Sequence, residues 1–381
     1  MPRSSRIRRW ARPLSRLAIL GLAALLLLEL AIRWLLFSPP SALESMARRL
    51  QHAQLFAAPW EDDYWRLRYL FRDPARARRP RSHPLLGWHT PKIDPESFDH
   101  VDRGGLEGRR PLLLYGDSFA ACVTPEADCW QGLLEASRHG TEYALLNYGT
   151  GGYGLDQTYL LARASLAQYV AERPLVVIGI LVDDDLDRTN LRMRGWPKPY
   201  LVASASGRLE LDEPVAQDEA QFLAAHPLEI RSYLWRYLVC GSGRMPASVE
   251  NRVTGRSRAQ GRTRERSRLI LESLAQDLQG ADVDHFVVLF HGPAAEETPP
   301  GEPQNGGWRE SFLVAELERL DLPYVLSSLE LAASRGAGLF VDAGPPLAGH
   351  YSAAGNRAVF GAFLRGIEGR FDSTGHQDSM R

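Results

Sequence analysis

Five short apolar runs punctuate the second two-thirds of the chain: Pro111–Tyr115, Tyr143–Asn147, Leu175–Val182, His285–Phe290 and Gly338–Val341. Nearly continuous apolar runs of this length suit strands buried on both faces of a parallel sheet. Helical candidates separate them: Cys129–Arg138, Leu155–Glu172, Arg268–Leu278 and Arg309–Arg319, with Ser352–Ile367 after the last run. This alternation predicts an α/β fold, a three-layer α/β/α sandwich with a central, mostly parallel sheet. Sheets of this class bind ligands outside the carboxyl ends of their strands. The chemistry of the chain is therefore expected where the runs end.

The first run ends in LLLYGDSFA, Leu112–Ala120. A glycine there permits a tight turn, and an aspartate can hydrogen-bond the turn's backbone. Ser118 then falls at a helix start, where free N–H groups can hold an oxyanion. The same pattern also fits an ordinary helix cap. The second run leads into NYGTGGYGLDQ, Asn147–Gln157. Its four glycines allow close backbone approach to a ligand, but it has neither G-x-G-x-x-G in the required setting nor the Lys-Ser/Thr of a phosphate-binding loop. An oxyanion donor is the better reading. The third run ends in LVDDDLDR, Leu181–Arg188. Adjacent side chains at a strand end diverge, so a solvated acidic turn is favoured over a divalent-cation site. After the last run comes His350, in a glycine-flanked loop before a helix. Nucleophilic serine chemistry needs a base within hydrogen-bond reach, and this histidine sits at the same sheet edge.

The N-terminus adds a membrane signal. Residues 1–16 carry six arginines and no acid, and Leu17–Phe37 is an apolar stretch interrupted by Glu29 and Arg33. A helix needs ~20 apolar residues to cross a bilayer, and the i,i+4 spacing lets Glu29 and Arg33 pair. No small-x-small cleavage site follows, so an uncleaved anchor is favoured over a signal peptide. An arginine-rich flank stays cytoplasmic. This places the larger part of the chain across the inner membrane, periplasmic or extracellular. The expected organisation is a basic tail (1–16), an anchor (17–37), a connector (38–110), an α/β domain (111–370) with an insertion at about 188–266, and a tail (371–381). The net charge is −1 with acids interspersed, so no nucleic-acid partner is expected. The run RSRAQGRTRERSR (Arg256–Arg268) reads as a solvated face or mobile loop. Cys122 and Cys129 are either a small disulfide or two free thiols, with Cys240 left over. No spacing suggests a structural metal, and no cofactor is expected.

Taken in order, the blocks at these strand ends resemble the SGNH hydrolases, also called GDSL esterases and lipases, and more narrowly their membrane-anchored bacterial members. Ser118 matches the nucleophile, Asn147 with Gly152 the N-x-x-x-x-G block whose glycine N–H is an oxyanion donor, and His350 the base. PLLGWHTP (Pro84–Pro91) and the second block match the narrower type. The resemblance covers about Pro84–Ile367 and implies the flavodoxin-like SGNH fold. It implies ester hydrolysis, with O-acetyl groups on an envelope or exported polysaccharide as a candidate substrate. It also leaves room for an O-acyltransferase, or for a weakly active or inactive glycan- or partner-binding protein. Two departures stand out. The donor Asn of the third block is replaced by Asp183 or Asp184, and an ionised carboxylate cannot donate; a protonated acid or Asn190 would have to substitute. The D-x-x-H block has Leu347 in place of its acid, leaving Asp342 or a backbone carbonyl to orient the imidazole.

Overall fold

The computed structural model describes residues 4–72, 81–204, 207–293, 307–334, 338–342 and 347–372, with side chains from residue 16 onward. The first five arginines of the basic tail expected at 1–16, and all but the first two residues of the 371–381 tail, thus have no described side chains. The chain forms two compact units, one of residues 1–77 and 223–257, the other of residues 78–222 and 258–381.

The larger unit is built on a five-stranded parallel sheet: β1 (Arg110–Tyr115), β2 (Tyr143–Asn147), β3 (Leu175–Leu181), β4 (Asp284–Phe290) and β5 (Tyr324–Leu326), in the order 2-1-3-4-5. This is the flavodoxin-like order, whose switch point lies between β1 and β3. The two-residue period of a strand sorts its side chains onto two cores. Leu113, Tyr115, Val176, Ile178, Ile180, Val287 and Leu289 face one core, with helices Leu155–Ser165, Arg256–Gly280 and Gly307–Arg319 supplying its other side. Leu112, Leu114, Leu175, Val177, Phe286, Val288 and Phe290 face the other, against Trp130–Glu135 and Ala353–Ile367. Three layers result, as the alternation of runs and helices requires.

Two differences from the sequence reading have physical causes. The fifth strand is Tyr324–Leu326, only three residues at the sheet's edge, and not Gly338–Val341. In the latter segment Phe340 makes a single antiparallel bridge to Tyr351. The basic run is a solvated face, as one of its two readings had it, but on a helix and not in a mobile loop: it opens the helix Arg256–Gly280, with Arg256, Arg258, Arg262, Arg264 and Arg268 exposed. It contains no proline and is rich in helix-forming Arg, Ala, Gln and Glu. Its buried face in this region consists of small residues, Ala259, Thr263 and Ser267, so apolar periodicity was faint. Its arginines cover rings, Arg266 over Tyr200 at 3.8 Å and Arg264 over Trp308 at 5.0 Å.

The smaller unit contains the 34-residue helix Ser4–Phe37, whose segment Arg16–Phe37 is long and apolar enough to cross a membrane. The end of that helix is part of the folded body: Leu36 is buried with Phe56, Leu67, Ile230 and Tyr233 in one core. Cys240, the free cysteine, also lies in this unit.

Candidate active site

Gly116, Asp117 and Ser118 make the turn at the end of β1. Gly116 has φ +154°, and a Cβ there would lie 2.7 Å from the Ala120 methyl and 2.8 Å from the Gly179 carbonyl, so no other residue fits. Asp117 is fully buried and caps the short helix Ser118–Ala121, accepting the Phe119 N–H at 2.8 Å. A disulfide joins Cys122, the residue that ends this helix, to Cys129, with Cα atoms 5.9 Å apart. The open question of those two thiols resolves to a bond.

His350 stands over the serine, its Nε2 2.8 Å from Ser118 Oγ. Its Nδ1 lies 3.0 Å from the carbonyl oxygen of Leu347. A carbonyl only accepts, so Nδ1 must carry the proton and Nε2 presents its lone pair to the hydroxyl. The ring stacks on Phe119 at 5.2 Å. Its loop is clipped in place by Val341 N–H donating to the His350 carbonyl (2.8 Å) and by the Phe340–Tyr351 bridge. Next to it Tyr351 is buried and donates to the His291 carbonyl at 2.8 Å, and Ser352 caps the final helix. Asp342 lies exposed just past the bridge, and the ring nitrogen it was expected to orient faces Leu347 instead.

The glycine-rich loop after β2 is tied to the serine helix. Asn147 accepts the Gly149 N–H (2.9 Å) and donates to the Ala120 carbonyl (3.0 Å). Gly149 approaches so closely that a Cβ would stand 2.2 Å from Ala121 N. Gly152 has φ +83°. Trp88 Nε1 donates to the Gly151 carbonyl at 3.1 Å, and Arg194 to the Gly152 carbonyl at 2.9 Å. The Gly151 carbonyl and the Gly152 N–H belong to one trans peptide and point in opposite directions, so the indole sets where that N–H is aimed. Among the described residues neither the Ser118 nor the Gly152 N–H has a protein acceptor.

The acids after β3 do not supply donors. Asp183 accepts the Gly292 N–H at 2.8 Å. Asp184 accepts from Arg188 (2.7 Å) and Arg194 (2.9 Å). Burial opposes its ionisation, yet the two guanidinium groups hold its carboxyl below the usual range, so it is a carboxylate and not the protonated donor. Asp185 accepts from Leu181 N–H and Arg188; burial, then the neighbouring Asp117 carboxylate, push its pKa well up. Asn190 spends its amide on the Ala259 carbonyl and the Thr263 hydroxyl, in the packing against the helix Arg256–Gly280. The three candidates for the missing donor, Asp183, Asp184 and Asn190, are thus all committed elsewhere. Asp183 is turned to Gly292, and Asp184 and Asp185 to guanidinium groups, and no group of metal-ligating side chains forms among the described residues.

What sequence reasoning missed is the charge network under the turn. Arg188 is buried and donates to Asp117, Asp184, Asp185 and the Tyr153 carbonyl. Arg194 bridges Asp184 to the glycine loop, and burial, then repulsion from Arg188, lower its pKa to about 10. Lys198 and Asp156 form a fully buried pair beneath the same loop. Only Asp184 and Asp185, at i,i+4 and i,i+3 from Arg188, carried a local signal.

No protein-family profile matches the chain, and no curated protein does. Among solved structures it is similar to the acetylxylan esterase Axe2 of Geobacillus stearothermophilus (17% identity, 68% of this chain and 94% of that one, TM-score 0.33). It is also similar to TesA (16%, 69% and 100%, TM-score 0.35) and to the acetyl xylan esterase AlAXEase (13%, 68% and 99%, TM-score 0.37).

Proposed function

We propose that this chain is a membrane-anchored, extracytoplasmic serine hydrolase of the SGNH type that cleaves a small acyl ester. The observation that carries the reading is the relay Leu347 C=O···H–Nδ1 His350 Nε2···H–Oγ Ser118, with contacts of 3.0 and 2.8 Å. His350 takes the hydroxyl proton as Ser118 Oγ attacks the ester carbonyl, then gives it to the leaving alcohol. Water attacks the acyl-serine by the same path in reverse. The Ser118 and Gly152 N–H groups hold the oxyanion. Arg194, anchored on Asp184 and the Gly152 carbonyl, replaces the missing neutral amide with a fixed positive charge beside that loop. A backbone carbonyl orients the imidazole but offers no full charge to the imidazolium, so a lower rate than that of a Ser-His-Asp triad is expected. An O-acetylated envelope or exported polysaccharide fits the anchored placement.

The test is a fluorophosphonate probe on the full-length, detergent-solubilised protein, with Ser118→Ala and His350→Ala alongside. Labelling at Ser118, abolished in the first variant and reduced by about 10³-fold or more in the second, is the expected result. Absence of labelling in folded protein would overturn the reading and leave a glycan- or partner-binding role.

A further inference from the structure

The N-terminal helix carries one acid in its apolar span, and the fold uses it. Glu29 accepts three hydrogen bonds from the start of the helix Tyr233–Cys240: from Ser232 Oγ (2.9 Å), Tyr233 N–H (3.0 Å) and Leu234 N–H (2.9 Å). Arg33 completes the clasp by pairing with Glu29 at 2.6 Å and donating to the Arg231 carbonyl at 2.7 Å. Arg33 lies 5.0 Å from the Tyr233 ring centroid, and Phe37 packs edge-on against the same ring at 5.4 Å. A carboxylate inside an apolar span, with all its hydrogen bonds beyond its own helix reaching the start of one short helix, fixes the depth of that helix. Arg16–Phe37 is 22 residues, about 33 Å at helical rise, which matches the ~30 Å hydrocarbon layer. Glu29 lies eight residues before Phe37, roughly 12 Å inside the outer end.

We infer that the helix Tyr233–Cys240 is a second membrane-contacting element, held in the outer leaflet of the bilayer that the N-terminal helix spans. Its two faces support this. Tyr233 and Val239 are buried and Tyr237 packs on Phe56, whereas Trp235 and Leu238, one turn apart, are 46% and 41% exposed. The exposed pair is large, apolar and on one face, with a tryptophan, the residue that favours the headgroup level. The occupant is lipid because Glu29 and Arg33 hold this helix against the span itself, whose Leu30 and Trp34, the residues next to them in sequence, are also exposed. The inference rests on the anchor reading and is independent of the chemistry at Ser118.

The test uses the full chain in lipid nanodiscs, with Cys240→Ser as background and nitroxide labels introduced singly at Trp235→Cys, Leu238→Cys, Leu22→Cys and Ser248→Cys. Leu22 reports the span and Ser248 an exposed position on the neighbouring helix Ala247–Val253. Labels at 235 and 238 are expected to show an oxygen-to-nickel-chelate collision ratio several-fold above Ser248 and close to Leu22. Values at the Ser248 level, with Leu22 lipid-like, would overturn the membrane-held helix. An aqueous value at Leu22 would overturn the anchor reading itself. Dipolar broadening between labels at 235 on different chains would show a second copy covering the patch, and would likewise overturn the proposal.

Discussion

At the scale of single residues, the site divides into groups that react and groups that aim them. Trp88 belongs to the second class. Its indole fixes the peptide that carries the Gly152 N–H, and its ring packs on Tyr153 at 5.6 Å. Trp88→Phe keeps the ring and removes the hydrogen bond. Loss of an oxyanion donor costs ~10²–10³ in rate, so loosening one is expected to lower kcat by about 10-fold with KM little changed; steady-state kinetics on a soluble acetyl ester decide it. Asp184 gives a pH prediction. Its carboxyl is held low by Arg188 and Arg194, against burial. A depressed folded pKa adds stability that is present above the unfolded value, ~3.9, and is lost as pH falls through the folded value. Asp184→Asn removes that contribution, so thermal unfolding between pH 7 and 3 should show a lower Tm at neutral pH and a shallower acid-side fall. An unchanged slope would mean that Asp184 does not carry the acid sensitivity. Ser118 and Gly152 were legible in the sequence because each sits in a short motif after a strand, and His350 because it sits in a glycine-flanked loop just before a helix. Arg188 was not, because the Asp117 it serves lies 71 residues away. Trp88 lay inside a recognised segment whose task appears only when Gly151 is placed beside it.

At the scale of elements, the site is two turns pressed together. The loop after β2 touches the serine helix so closely that Gly149 has its Cα face against the Ala121 backbone. Backbone cannot rotate aside as a side chain can, so Gly149→Ala forces the turns apart. Overpacking of this kind costs about 1–3 kcal/mol or more. It should appear as a several-degree loss of Tm and a larger fractional loss of Ser118 labelling. Gly151→Ala, with open space at its Cβ, is the control that should leave both almost unchanged. Long, doubly buried strands such as β3 and β4 were readable because their apolar runs are continuous. β5 was not, because three residues on an edge give no run to recognise. The helix Arg256–Gly280 was missed in its first half because arginine guanidinium groups lying over rings do the covering that leucines would otherwise advertise.

At the scale of the whole molecule, the chain has two units with separate cores, and the N-terminal helix belongs physically to the smaller one. The apolar span was plain in the sequence, and Glu29 and Arg33 were read correctly as a pair. Their task was not legible, because their partners, Arg231 to Leu234, lie about two hundred residues further on. A cleaved leader would take with it the buried Leu36 and the acceptor for the first turn of Tyr233–Cys240. Loss of a fully buried leucine costs about 2–5 kcal/mol, and loss of a helix cap ~1 kcal/mol. A version of the chain beginning at Ser38 should therefore show faster amide exchange across 53–70 and 228–240 than the full-length protein. Exchange in β1, β3 and β4 should be unchanged, since their cores contain no residue before Leu86. Equal protection of 53–70 and 228–240 in both versions would mean that the helix is dispensable to the fold and that its contacts with Tyr233 contribute no stability. Faster exchange there would show that the N-terminal helix is a working part of the smaller unit's core.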